Sequence, residues 1–272
     1  MSATHIPVPI RVVENIEDGR EARHFTFEFV DRNDTPRDVQ PGSFFMLNVP
    51  GAGESAFTYS SLPDADGRFG ALVRRVGSVT TALFRQVPGA ILGARGPFGH
   101  GWPVERLRGA RTLVVGGGCG LAPLVSAVQH LSAHRERFAV VYSSRDDAAR
   151  VLGRERAAWR EKDIALVDVV DAQGRIGPVP HLDEAIGALG GEPDIVLTCG
   201  PEAMMFALTD ALHARGMPTE SIYLSLERRM HCGTGHCGHC YIGSDYCCTN
   251  GPVISLARLR PHASLYPQPA AT

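Results

Sequence analysis

Seven cysteines are spread unevenly over 272 residues. Cys119 and Cys199 stand alone, and the other five lie between Cys232 and Cys248. A disulfide framework would distribute its cysteines along a small secreted chain, whereas thiols packed this tightly read as a metal or cluster site. The stretch Cys232-Gly233-Thr234-Gly235-His236-Cys237-Gly238-His239-Cys240 has the spacing C-x4-C-x2-C, and Cys247 and Cys248 follow it. Three close thiolates and a more distant fourth are the pattern of a plant-type [2Fe–2S] cluster. Gly233, Gly235 and Gly238 let the loop wrap a cluster and free backbone N–H groups to point at sulfur, which raises the reduction potential. A structural zinc site is the competing reading, although such sites more often show paired C-x2-C knuckles. His231, His236 and His239 are conceivable ligands, but with four thiolates at hand they read as flanking residues. Adjacent residues of an extended loop point in opposite directions, so only one of Cys247 and Cys248 is expected to reach the metal.

Four other segments have the composition of nucleotide or phosphate sites. Val115-Gly116-Gly117-Gly118-Cys119-Gly120-Leu121-Ala122-Pro123 reads as a strand entering a glycine turn that opens a helix. Such a turn lets a backbone approach a pyrophosphate at a helix N-terminus, with Pro123 suited to the first turn. Thr198-Cys199-Gly200-Pro201 stands at the carboxyl end of another strand, where ligands of open α/β sheets bind. A lone cysteine is otherwise a small buried hydrophobe. Arg74, Gly77, Ser78, Val79, Thr80 and Thr81 join a strand end to a helix start and combine a guanidinium with N–H groups and hydroxyls, either for a phosphate or as an ordinary helix cap. Ser144 and Arg145 follow the second strand of the same half, where they would meet a 2′-phosphate, with Asp146 and Asp147 acting against it. Arg95-Gly96-Pro97-Phe98-Gly99 reads as a turn and nothing more.

The elements that must position these residues divide the chain in three. Residues 1–106 hold short strand-like segments, His24–Phe29, Phe44–Val49 and Gly70–Arg75, separated by turn residues, with a short helix over Thr80–Gln86. That pattern predicts an antiparallel barrel. Residues 107–225 alternate strands (from Thr112, Phe138, Ile164, Asp194 and Ile222) with helices (from Ala122, Ala148, Leu182 and Glu202). This predicts βαβ units in a doubly wound parallel sheet. Residues 226–272 form a short Gly- and Cys-rich tail, too small to fold on apolar burial alone, so a metal is expected to help hold it.

Composition narrows the function. A 44% hydrophobic and 21% charged chain is globular rather than disordered, and a net charge of −2 argues against a nucleic-acid partner. Lys162 is the only lysine; the arginine excess reads as compositional. No apolar run approaches the ~20 residues of a membrane span, and no secretory signal is visible, so a cytoplasmic location is expected.

Taken together these residues resemble the ferredoxin–NADP reductase superfamily and, within it, the electron-transfer subunit of dihydroorotate dehydrogenase and the gamma subunit of cytoplasmic sulfhydrogenase-type nickel–iron hydrogenases. The likeness runs from about residue 8 to 260. It rests on Ser225-Leu226-Glu227-Arg228, the cysteine stretch, Asn250-Gly251-Pro252-Val253, Gly51-Ala52-Gly53-Glu54, Arg74-Arg75-Val76-Gly77, Gly96-Pro97-Phe98-Gly99, Pro103-Val104-Glu105 and Gly116-Gly117-Gly118. The resemblance implies an FAD barrel, an NADP or NAD domain and a [2Fe–2S] tail, working with hydrogenase or other redox subunits in a hetero-oligomer. The superfamily's Arg-x-Tyr-Ser flavin stretch is matched to Phe57, Thr58, Tyr59 and Ser60, with phenylalanine in the arginine position. The resemblance also assigns Gly116, Gly117, Gly118 and Gly120 to the nucleotide pyrophosphate, and Cys199, Gly200 and Pro201 to the nicotinamide and flavin rings. It selects Cys248 as fourth cluster ligand beside Cys232, Cys237 and Cys240. An electron-transfer subunit of anaerobic sulfite reductase or dihydroorotate dehydrogenase, and a zinc-stapled nucleotide-binding regulatory module, are the alternative readings.

Overall fold

A computed structural model describes residues 6–171 and 177–259. The first sheet comprises β1 (Val8–Glu17), β2 (Ala22–Phe29), β3 (Phe44–Val49), β4 (Gly53–Thr58), β5 (Arg68–Arg74) and β6 (Ile91–Phe98) in the order β4-β3-β6-β1-β2-β5, every pair antiparallel. Just beyond β4, Ser61 bridges Gly70 of β5 and joins the two edges. Alternate residues turn inward, among them Ile10 and Val12, Phe25 and Phe27, Phe45 and Leu47, and Phe69, Ala71 and Val73, so the strand period of two fills the barrel. One short helix, α1 (Ser78–Leu83), follows β5.

After the short α2 (Val104–Leu107), the second sheet is built from β7 (Thr112–Gly117), β8 (Phe138–Ser144), β9 (Leu166–Val170), β10 (Ile195–Cys199) and β11 (Ile222–Ser225). Its strands run parallel in the order β11-β10-β7-β8-β9. Both faces are covered, which is why these strands read as unbroken apolar runs. Val114, Val140 and Leu197 pack with α3 (Ala122–Ala133) and α4 (Gly153–Glu161). Leu113, Val115 and Val141 pack with α5 (Leu182–Leu189) and α6 (Glu202–Ala214).

The expected helix from Ala148 begins five residues later. Leu152 adopts a left-handed conformation, and the first turn of α4 is capped from the barrel. The Asp18 carboxylate, in the β1–β2 turn, accepts hydrogen bonds from the amides of Leu152 (2.8 Å) and Gly153 (3.2 Å). A cap supplied by another part of the chain is invisible to local patterning.

The tail is more than a cysteine loop. After a small hairpin of β12 (Tyr241–Ile242) and β13 (Asp245–Tyr246) and the single turn α7 (Cys247–Asn250), strand β14 (Val253–Ser255) pairs antiparallel with β11 and so extends the second sheet. Ile242, Cys247, Ile254, Leu256 and Leu259 join the same core as β7 and α6. The apolar support that the tail lacks within itself is borrowed from the parallel sheet. Residues 260–272 of the expected tail lie outside the described residues. No helix among the described residues is long and apolar enough to cross a membrane.

The barrel and the second sheet meet where Gly19 enters the Ala148–Gly153 loop. Arg20 N donates to Ala148 O at 2.6 Å. Gly19 has φ +91°, and a Cβ there would lie 2.3 Å from Arg150 O. Gly19→Ala is expected to destabilise the fold by about 1–3 kcal/mol, through left-handed strain and displacement of this joint, as read by equilibrium chemical denaturation.

Candidate functional site

One cleft of about 610 Å³ collects residues from all three parts of the chain. The barrel contributes Phe57 and Thr58 at the end of β4, Arg74 at the end of β5, and Gly77, Ser78, Val79 and Thr80 at the start of α1. The second sheet contributes Cys119, Pro123 and Cys199, and the tail contributes Leu226, Glu227, Arg228, Arg229, Met230 and His231. Parallel strands end at the same edge of their sheet, so the turn after β7 and the end of β10 must lie side by side. Gly120 makes that approach possible, since a Cβ on it would stand 2.5 Å from the Cys199 backbone.

Of the four residues matched to the flavin stretch, Phe57 and Thr58 line the cleft together with the preceding Ser55 and Ala56. Tyr59 does not. Its ring lies in the barrel core, with ring centroids 4.7 Å from Phe45 and 5.5 Å from Phe69, and burial pushes its phenol up. Ser60 is buried too, 2.8 Å from His24 Nε2. With Glu54, which also lines the cleft, the cleft-facing run is residues 54–58, and the matched stretch shares only Phe57 and Thr58 with it.

Arg74 Nε donates to Cys119 Sγ at 3.0 Å and its Nη1 to Arg20 O at 3.0 Å, so the guanidinium spans the barrel and the glycine turn. Thr80 Oγ1 accepts from the amides of Val76 and Gly77, each at 3.0 Å, which is a local helix cap. Thr81 lies on α1 outside the cleft lining. Gly116 and Gly117 complete β7, and Gly118 to Leu121 form a tight turn before α3. Cys119, rather than the glycines, is the member of that turn that lines the cleft. Cys199 is buried, and burial, reinforced by the Glu227 carboxylate, pushes its thiol up to about 12. Gly200 and Pro201 lead into α6. Ser144 is buried and Arg145 exposed at the end of β8, away from the cleft lining. Asp146 is engaged by Arg20 and Asp147 by Arg150.

The tail sorts its thiols into pairs. Cys232 shares a hydrogen bond with Cys237, and Cys240 with Cys248. Thr234 N lies 3.4 Å from Cys232 Sγ, and Gly235 N lies 3.2 Å from Cys248 Sγ. Gly233 and Gly235, with φ +77° and +78°, take the left-handed turns that aim these amides. Burial alone would raise the Cys232 thiol, but the amides of Thr234 and Cys237 bring it down to about 5. Cys247 faces the other way and donates to Leu226 O at 3.2 Å, with burial pushing its thiol up to about 12. Two thiol pairs served by backbone N–H donors fit a two-iron cluster, with one pair for each iron. His231 and His239 contact each other edge to face, with ring centroids 4.4 Å apart.

The tail is fixed to the barrel by residues whose sequence suggests only a turn. Arg95 on β6 forms a two-point ion pair with Glu54 on β4, at 2.8 and 2.5 Å. It also donates to Cys232 O at 2.6 Å and His231 O at 2.8 Å. The Glu54 carboxylate raises the pKa of the guanidinium, against the opposing effect of burial. Phe98 lies under the loop, 3.2 Å from where a Gly233 Cβ would stand. An arginine inside an otherwise apolar strand is the one signal of this role that the sequence offers.

Sulfhydrogenase 1 subunit gamma of Pyrococcus furiosus is 32% identical over 250 residues, covering 85% of this chain and 84% of the relative. A probable dihydroorotate dehydrogenase B electron transfer subunit of Methanopyrus kandleri is 33% identical over 251 residues, covering 91% and 90%. This chain belongs to their family. The model of the iron–sulfur cluster binding domain of dihydroorotate dehydrogenase B matches residues 227–260 of this family member, the segment that carries the paired thiols. Its fold is that of an NADH-dependent reduced ferredoxin-NADP oxidoreductase studied for flavin-based electron bifurcation, with a TM-score of 0.72 at 22% identity over 98% of this chain and 95% of that one. The expected fold class, a barrel followed by a doubly wound sheet and an iron–sulfur tail of the ferredoxin-reductase kind, is the one observed.

In iron-free protein at pH 7, a thiol brought down to about 5 is ionised and those pushed up to about 12 are not. Alkylation followed by peptide mass mapping is expected to label Cys232 early and to leave Cys199 and Cys247 unmodified until the protein unfolds.

Proposed function

We propose that this chain carries electrons between NAD(P)H and a partner redox subunit, using FAD in the cleft and a [2Fe–2S] cluster on the tail, and that the partner is a cytoplasmic nickel–iron hydrogenase. The observation that carries the reading is a cleft in which the barrel, the carboxyl end of the parallel sheet and the start of the cysteine-bearing tail meet. The bound cofactors supply the redox chemistry, converting a two-electron hydride donor into single electrons, and no acid, base or nucleophile of the chain is needed.

The protein binds, orients and shields. Setting the flavin stretch on the cleft-facing residues moves it to Ser55-Ala56-Phe57-Thr58. Phe57 then takes the aromatic position and Thr58 the hydroxyl position, and Ser55 stands where the superfamily has arginine. With no guanidinium at that end, Arg74 becomes the cationic contact for the flavin pyrophosphate, aided by the α1 start at Gly77, Ser78, Val79, Thr80 and Thr81. The β7 turn, Gly116 to Gly120, would receive the nicotinamide-nucleotide pyrophosphate. Cys199, which lines the cleft, and the following Gly200 and Pro201 would receive the nicotinamide ring. The buried Cys199 thiol stays protonated there and shields the reacting face without adding charge.

Cys232 and Cys237 would hold one iron and Cys240 and Cys248 the other. NADP is favoured over NAD by the neighbours of Arg145. Asp146 is held by Arg20 at 3.1 Å, nearer than Arg145 at 3.9 Å, and Asp147 by Arg150, so neither acid stands unopposed against a 2′-phosphate. The gamma subunit named above supports a hydrogenase partner. A dihydroorotate dehydrogenase catalytic subunit is the second reading, supported by relatives such as that of Methanopyrus kandleri.

Protein purified without oxygen is expected to carry flavin absorption with reducible iron–sulfur shoulders; a colourless zinc protein would sink the proposal. Co-purification with a dihydroorotate-oxidising or sulfite-reducing subunit would replace the hydrogenase. Cys248→Ser is expected to lose the iron and keep the flavin, while Cys247→Ser keeps both; the reverse result by metal analysis refutes the ligand choice. Steady-state reduction of an artificial acceptor is expected to favour NADPH over NADH, with Arg145→Ala narrowing the difference. A clear NADH preference in the unaltered protein would refute the Arg145 argument.

A further inference from the structure

A buried ion pair is weak evidence of a stability device, because desolvating both charges offsets most of their attraction. The Arg95–Glu54 pair sits in such a position, with side chains 7% and 20% exposed. Glu54 uses both oxygens on Arg95, while two further N–H groups of the guanidinium go to the carbonyls of His231 and Cys232. The pair thus joins two barrel strands to the peptide of a cluster cysteine, and Glu54 and His231 both line the cleft. A fixed charge acts strongly at short range where water is excluded, and hydrogen bonding and burial around an iron–sulfur centre are what tune its potential.

We propose that Arg95 and Glu54 are positioning residues that set the reduction potential of the tail cluster. Reduction adds one negative charge to the cluster. The Arg95 cation stabilises that charge and raises the midpoint, and the Glu54 anion opposes it. Arg95 also fixes where the Cys232 arm of the cluster stands relative to the cleft. This role rests on the tail holding a [2Fe–2S] cluster. The carbonyl bonds by themselves would make Arg95 a simple strut, and the two accounts part on sign. A strut has no reason to shift the midpoint in opposite directions when each partner is neutralised.

The test is a redox titration of whole, anaerobically prepared protein, reading the cluster by its electron paramagnetic resonance signal and the flavin separately by absorbance. Iron content is measured on every sample. Glu54→Gln is expected to keep the iron and raise the cluster midpoint, Arg95→Gln to lower it, and the double variant to return towards the unaltered value. Should Arg95→Gln shed its iron, Glu54→Gln alone decides, because it removes a charge while keeping a side chain of the same shape. A midpoint unchanged or lowered in Glu54→Gln overturns the proposal, as does a shift of both single variants in the same direction. Unaltered protein with no reducible cluster signal overturns the cluster reading itself. A normal cluster whose midpoint ignores Glu54 overturns only the tuning role of the pair.

Discussion

A guanidinium withdrawn from water inside a barrel strand holds together parts of the chain that are far apart in sequence. Arg95 can be buried because Glu54 neutralises it and two peptide carbonyls accept further hydrogen bonds from it. Those carbonyls belong to the first arm of the cysteine loop. The second arm is held beside it: His100 N donates to Gly251 O, and His100 bridges Pro252. The tail therefore leaves the second sheet at β11, touches the barrel at both arms, and returns to the second sheet as β14. With its ends so fixed, the loop between them has little freedom except to turn its thiols inward.

That arrangement also explains the cleft. A barrel edge, the carboxyl end of a parallel sheet and a short tail would not meet by their local preferences. Asp18 and Gly19 seat the barrel against the nucleotide-domain loop, Arg74 reaches from β5 to Cys119, and Arg95 draws the tail in from the other side. Each of these contacts pairs a charged or backbone group with a partner of distant sequence number, and each would be costly to leave unsatisfied once buried. The cavity between them is the space left when three rigid pieces are joined at their rims.

Much of the architecture is legible in the sequence. The apolar runs at Thr112 and Phe138 and the helices at Leu182 and Glu202 carry strong local signals, because strands buried on both faces and amphipathic helices need continuous apolar patterning. Strands β1, β4 and β6 are not among the segments that local pattern singles out. β4 is rich in small and polar residues, and β6 is interrupted by glycine and proline. The start of α4 differs from the expected one because its cap comes from Asp18. The matched flavin stretch runs two residues past the end of the cleft-facing run, at Tyr59 and Ser60, and only the packing of Tyr59 against Phe45 and Phe69 reveals this.

The cysteine spacing, the glycine turn after a buried strand and the alternation of strands and helices are determined by the sequence itself. Each is a short-range pattern whose chemistry depends on residue type and separation along the chain. The pairing of Cys248 with Cys240, the inward turn of Cys247, the borrowing of core by the tail and the joining of Arg95 to both Glu54 and Cys232 are decided only in the folded state. The last two are contacts between segments tens of residues apart, and the first two depend on how the loop is seated between them. All four turn on which face of each element is buried, and burial is a property of the packed whole.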